Sequence, residues 1–136
     1  MESRVSASQI IETARSYLET PFRHRGRNRA GIDCAGLIIC VLKDAGIMPE
    51  GYLEQLYSNI PKNGLVPDTL DRFFNKVSDY KVGDVIVFSF MNNPCHVGFY
   101  SGNSVIHAYQ ERGKVIEDQF VGKWEKRVFC AYRVIE

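Results

Sequence analysis

Gly31-Ile32-Asp33-Cys34-Ala35-Gly36-Leu37 runs directly into Ile38-Ile39-Cys40-Val41-Leu42, and the apolar run stops at Lys43-Asp44-Ala45-Gly46. An apolar stretch of this kind closed by glycine predicts a buried helix that ends near Gly46. Asp33, a short acceptor just ahead of it, is the expected N-cap, which makes Cys34 the first helical residue. A thiol in that position meets the positive end of the helix dipole, which favours the thiolate. Gly31 and Gly36 flank it and are expected to leave room for a molecule to approach the sulfur. A free cysteine is as often a small core residue, so Cys34 by its position alone leaves packing and chemistry both open.

Two histidines downstream tip the balance towards chemistry. His96-Val97-Gly98-Phe99-Tyr100 and Ser104-Val105-Ile106-His107 read as short strands, with Ser101-Gly102-Asn103 as the hairpin turn between them. Adjacent antiparallel strands can set two side chains next to each other on one face. A cysteine at a helix start, a histidine on a facing strand and a second polar side chain on the next strand form a nucleophile, base and orienter set.

The remainder of the chain supplies a frame for these three. Ser6 to Leu18 reads as an amphipathic helix, with Ser6 and Gln9 as a capping box and Ile10, Ile11, Ala14, Tyr17 and Leu18 on its core stripe. Arg23, His24, Arg25, Arg27 and Arg29 crowd the loop after Pro21. That loop is either a solvated basic segment or the wall of a cleft for a carboxylate-rich substrate, since guanidinium groups grip carboxylates as a fork. Nucleic acid is disfavoured as a partner, because the basic residues are not interleaved with aromatics and no recognition motif accompanies them.

Residues 47–67 read as loop with short helical pieces over the cleft, with Tyr52 and Tyr57 available to line it. Asp68 to Lys76 reads as a short capped helix turning Leu70, Phe73 and Phe74 inward. Val85-Ile86-Val87-Phe88 is a buried strand, with Asp84 holding the turn before it. Two further strands are expected near Lys114 to Glu117 and Val128 to Val134, with Trp124 and Phe129 in the core.

Taken in order, these segments resemble the NlpC-type cell-wall cysteine peptidases, a papain-like family. The resemblance runs from about Ile10 to Val134. It is carried by Thr20-Pro21-Phe22, Asp33-Cys34-Ala35-Gly36-Leu37, Val82-Gly83-Asp84-Val85, His96-Val97-Gly98-Phe99-Tyr100 and Val105-Ile106-His107. The stretch Phe22-Arg23-His24-Arg25-Gly26-Arg27 is similar to the phage-tail and prophage branch. The family implies an α+β, papain-like fold over residues 1–136 as a single domain. N-terminal helices, with the nucleophile at a helix start, would pack on an antiparallel sheet of about five or six strands.

The resemblance also implies a reaction. Cys34 is the nucleophile, His96 the base and His107 the orienter in cleavage of an amide of the peptidoglycan stem peptide through a thioester, with the oxyanion at the helix start. Relatives grip the free amine of a terminal L-alanine with a tyrosine, the aspartate before the nucleophile and a serine after it. The matching residues here are Phe22, Asp33 and Ala35, so both hydroxyls are missing and recognition of a free L-alanine end is not expected. Arg25 in the basic loop and Asp33, Phe22 and Ala35 are the candidate substrate contacts. Cys34, His96 and His107 as zinc ligands with one water is the rival use of the same atoms. The order of the motifs fits the peptidase, so no metal and no cofactor are expected.

Composition bounds the rest. With 136 residues, 45% of them hydrophobic, the chain can bury a core, and a formal net charge of +1 says nothing about partners. No secretory signal precedes Ser6 and no apolar run is long enough to span a membrane, so cytoplasmic synthesis is expected. Delivery to the wall would then fall to a phage-tail-like particle, with tail or prophage proteins as partners. The four cysteines read as free thiols rather than disulfides. Two competing readings remain: a papain-like amidase or thioesterase acting on a non-wall acyl substrate, and a catalytically idle tail module. The intact trio argues against the second.

Overall fold

A computed structural model describes residues 5–47, 70–90 and 93–135. The expected cleft loop with Tyr52 and Tyr57, and the expected cap Asp68, lie outside the described residues. Helix α1 (Ala7–Arg15) begins at the anticipated capping box: Gln9 N–H donates to Ser6 Oγ and Ser6 N–H donates to Gln9 Oε1. A two-stranded hairpin, β1 (Arg27–Asn28) with β2 (Gly31–Ile32), leads into α2 (Cys34–Asp44). Asp33 Oδ1 accepts the Gly36 N–H at 2.7 Å and caps α2, and Gly46, at φ 72°, closes its far end.

The main sheet comprises β3 (Asn75–Val77), β4 (Val85–Phe90), β5 (Asn93–Tyr100), β6 (Ser104–Tyr109), β7 (Lys114–Gln119) and β8 (Val128–Arg133). Its spatial order is β3-β8-β4-β5-β6-β7, every pair antiparallel. A short helix, α3 (Lys123–Lys126), connects β7 to β8. The expected α+β layout is therefore present, with a six-stranded sheet. Asp84 holds its turn as anticipated, accepting Lys81 N–H, and is also gripped by Arg133 at 2.9 and 3.1 Å, which ties the end of β8 to the start of β4.

Both faces of the sheet are covered. On one, Val85, Val87, Val97, Phe99, Ile106 and Ala108 meet α1 and α2 through Ile10, Leu37, Ile38 and Val41. On the other, Ile86, Phe88 and Val105 meet Phe120 and Trp124.

Two expectations are corrected here. Residues 70 and 71 are helical, but the helix does not reach Lys76; Asn75–Val77 is a strand paired with β8. Tertiary pairing with Ala131, Tyr132 and Arg133 overrides the local helical pattern. Phe129 is 54% exposed rather than in the core. The reason is a register slip: Val87 pairs with Cys130 but Phe88 pairs with Val128, so Phe129 is the extra residue of a bulge and is turned outward.

Candidate functional site

A second slip lies across the same residue of β4. Phe88 pairs with His96 and Ser89 with Pro94, which leaves Cys95 unmatched on β5. A bulge immediately before His96 re-aims the strand where the histidine leaves it. Beyond the hairpin, β5 and β6 pair only at Phe99↔Ile106 and Tyr100↔Val105 and then part. His107 sits across from Gly98, whose missing side chain makes the space: a Cβ there would lie 3.0 Å from His107 Cβ and 2.7 Å from Val105 Cγ2.

The two histidines are brought together. His96 Nε2 and His107 Nδ1 are 2.6 Å apart, with His96 8% exposed and His107 fully buried. Aromatic rings enclose them. Trp124 lies edge-on to His107 with centroids 4.6 Å apart, Tyr109 stacks on His107 at 5.2 Å, and Phe88 and Phe90 flank His96. Burial in this box, followed by the neighbouring His107, pushes the proton affinity of His96 down to about 3. His107 is also lowered, by burial first, with Asp118 opposing the shift. Both imidazoles are therefore neutral near pH 7.

Cys34 opens α2, partly exposed, as its sequence position requires. No hydrogen bond joins it to His96 among the described residues. The sulfur lies instead along the edge of β5 on either side of His96: the thiol faces the Cys95 carbonyl oxygen at 3.9 Å and accepts from the Val97 N–H. The Val97 N–H is available because β6 has already diverged from β5 at this level. Burial, then the Asp33 carboxylate, push the Cys34 thiol up to about 12, against the pull of the Val97 and Ala35 N–H groups. The expected thiolate is thus corrected to a neutral thiol at rest: desolvation and a neighbouring negative charge outweigh the helix dipole.

The glycines also act differently from expectation. A Cβ on Gly36 would lie 2.1 Å from the Gly26 carbonyl oxygen, and one on Gly31 would lie 2.6 Å from Arg23 Cβ. Their role is to let the basic loop pack against the start of α2, not to open a path to the sulfur. Asp33 serves the same docking, since Oδ2 accepts the Arg25 N–H at 2.8 Å while Oδ1 caps the helix. Arg25 is exposed, with φ 63°. Ala35 is 2% exposed in the core and Phe22 packs against the same cluster. Arg29 turns away to the opposite end of α2: it donates to the Ser16 carbonyl, lies 3.9 Å above the Tyr17 ring and faces Asp44 at 3.8 Å. It therefore forms no wall beside Cys34.

The rival zinc reading does not fit this geometry. Two ring nitrogens hydrogen-bonded at 2.6 Å leave no place for an ion that each would bind at about 2.0 Å in a tetrahedron. Among the described residues no cluster of three or more His, Cys, Asp or Glu side chains is arranged to hold a metal.

One neighbour was not singled out from the sequence. Asp118 Oδ2 lies 2.9 Å from His107 Nε2. The signal was available in β7, where Asp118 shares the parity of Ile116, the residue paired with His107; an acid at that parity faces the histidines.

Comparison with known proteins agrees with this architecture. The NlpC/P60 family model matches residues 19–133. The chain is 25% identical over 129 residues to the murein DD-endopeptidase/murein LD-carboxypeptidase MepS of Escherichia coli K12, covering 94% of this chain and 63% of MepS. It is 27% identical over 132 residues to the probable endopeptidase NlpC of the same organism, covering 92% of this chain and 76% of that one. An NlpC/P60 family protein of Bacillus cereus superposes with a TM-score of 0.76 at 21% identity, over 98% of this chain and 42% of that one. The chain thus spans somewhat under two thirds of MepS and less than half of the Bacillus cereus protein.

Proposed function

Because the chain belongs to the NlpC/P60 family, we propose that it is a cysteine hydrolase of peptidoglycan stem peptide, with Cys34 as nucleophile, His96 as general base and His107 as orienter. The observation that carries this reading is the buried His96–His107 hydrogen bond beside a helix-opening cysteine. His96 Nε2 is engaged by His107, which leaves Nδ1 for the thiol. The resting thiol faces the Cys95 carbonyl rather than His96, and contacts of this kind often tighten only in the complex.

The reaction is general-base rather than ion-pair chemistry, given a neutral thiol and a neutral imidazole. Cys34 Sγ attacks the amide carbonyl carbon while its proton passes to His96 Nδ1. The oxyanion is met by backbone N–H groups at the start of α2. Collapse breaks the C–N bond, the departing amine takes the proton from His96, and the acyl group remains as a thioester. His96 then removes a proton from water, the hydroxide adds to the thioester carbonyl, the C–S bond breaks to release the acid, and His96 returns the proton to the departing sulfur. Both oxygens of Asp33 already accept backbone N–H groups, and Phe22 and Ala35 add no hydroxyl, which supports a preference for stem peptides whose L-alanine amine is acylated.

The test is mass spectrometry of purified peptidoglycan fragments after incubation with the protein and with Cys34→Ala. New peptide termini should appear with the first and fall by about 10⁴-fold or more with the second. Unchanged fragments with well-folded protein would turn the assignment towards a non-wall acyl substrate.

A further inference from the structure

The structure assigns Asp118 as a positioning residue that sets the direction of the hydrogen-bond chain ending at His96, an assignment resting on the role proposed for His96 above. The chain crosses three strands: Asp118 Oδ2 on β7 to His107 Nε2 on β6 at 2.9 Å, then His107 Nδ1 to His96 Nε2 on β5 at 2.6 Å. A carboxylate can only accept, whereas each neutral imidazole carries one N–H and one bare nitrogen. His107 must therefore carry its hydrogen on Nε2, towards Asp118. Its Nδ1 is then bare and accepts, so His96 must carry its hydrogen on Nε2 as well. The one nitrogen left with a free lone pair is His96 Nδ1, the atom the mechanism needs as base. Without an acceptor-only group at the far end, the chain could run in either direction, and the reverse direction would leave His96 Nδ1 protonated and unable to take the thiol proton.

Among the described residues, no other acid is placed to take this role. The adjacent acid of β7, Glu117, is occupied with Arg15 and the Ser104 hydroxyl. Asp118 also supplies charge. When His96 takes the thiol proton, the positive ring donates to His107, which donates to a carboxylate, so the new charge is compensated with no second proton moved. The groups facing the histidine pair are Cys34 from α2, Tyr109 beside His107 on β6, Asp118 from β7 and Lys123 from α3. Lys123 lowers the proton affinity of His107 and Asp118 raises it. Removing the carboxylate leaves Lys123 unopposed.

The test pairs a spectroscopic with a kinetic measurement. Long-range proton–nitrogen NMR of the nitrogen-15-labelled protein at neutral pH should show His96 and His107 each as the Nε2–H tautomer, with His24, exposed in the basic loop, as the third histidine signal for comparison. In Asp118→Asn, nearly the same size but able to donate, the single tautomers should give way to a mixture. Its kcat should fall about ten- to a hundredfold with KM little changed, and the acid limb of kcat/KM should move to lower pH. A Nδ1–H tautomer on either ring of the wild-type protein would overturn the assignment. So would an Asp118→Asn protein with unaltered kcat and acid limb, or one that loses only thermal stability. Should the tautomers be as stated while no peptidoglycan fragment is cleaved, the assignment of Asp118 stands and the substrate reading fails.

Discussion

The two faces of the central sheet are built from different material. The face under α1 and α2 is mainly aliphatic, with Phe99 and Tyr132 as aromatic exceptions on its strands: Val85, Val87, Val97, Ile106 and Ala108 pack against Ile10, Leu37, Ile38 and Val41. The opposite face is aromatic and polar: Phe88, Phe90, Tyr109 and Trp124 enclose two imidazoles, with Phe120 packed beside Phe88. Branched aliphatic residues fill space without direction, so the first face fixes where α2 lies and therefore where Cys34 begins. Flat rings and a hydrogen-bonded pair have preferred orientations, so the second face fixes how His96 and His107 point. The proposed site lies along the edge of β5, where position comes from one face and orientation from the other.

Substitutions that weaken one face at a time separate the two roles. Trp124→Ala should cost about 3–5 kcal/mol of stability and also lower turnover per folded molecule on the order of 10²-fold, because the imidazoles lose their enclosure. Leu37→Ala should cost about 2–5 kcal/mol in urea unfolding while turnover per folded molecule stays near wild type. Equal effects of the two changes on turnover would erase the distinction.

Protons offer a finer probe of the same contrast. In the fold His96 is depressed to about 3 from an ordinary value of 6.5, and His107 is lowered too. Between those pH values the unfolded chain binds a proton that the folded chain refuses. Stability should therefore decline as pH falls below about 6.5, by at most about 1.4 kcal/mol per pH unit per histidine. Urea midpoints at pH 7.5, 6 and 5 check the slope, and His96→Gln should flatten it. The smallest effect belongs to the bulge: Phe129→Ser should change stability by less than about 0.5 kcal/mol, since the ring is exposed.

The helix start at Cys34, the hairpin and the pairing of His96 with His107 were legible because each is written in local pattern. Asp33 precedes an apolar run, and Gly102 stands between two alternating strands. The two bulges left no such trace, because Cys95 and Phe129 are extra only relative to Phe88 on the strand between them. The reading of Phe129 as core assumed unbroken alternation and failed for that reason. The thiolate expected at Cys34 failed differently, since helix position is local while desolvation comes from β5, sixty residues later in sequence. Iodoacetamide labelling of Cys34 should accordingly be slow at pH 6 and accelerate as pH rises, with the modified residue identified by peptide mapping. Asp118 was not singled out because the expected strand ended at Glu117, and an acid just past a strand end reads as solvated until its partner on the next strand is known.

The Cys34 sulfur accepts the Val97 amide in the gap that β6 leaves along β5. In that place it acts as a one-atom substitute for a neighbouring strand. Removing it would leave the Val97 N–H without that acceptor, while β5 stays flanked by β4 and β6. The atom proposed for the chemistry is therefore also part of what satisfies the backbone beside it.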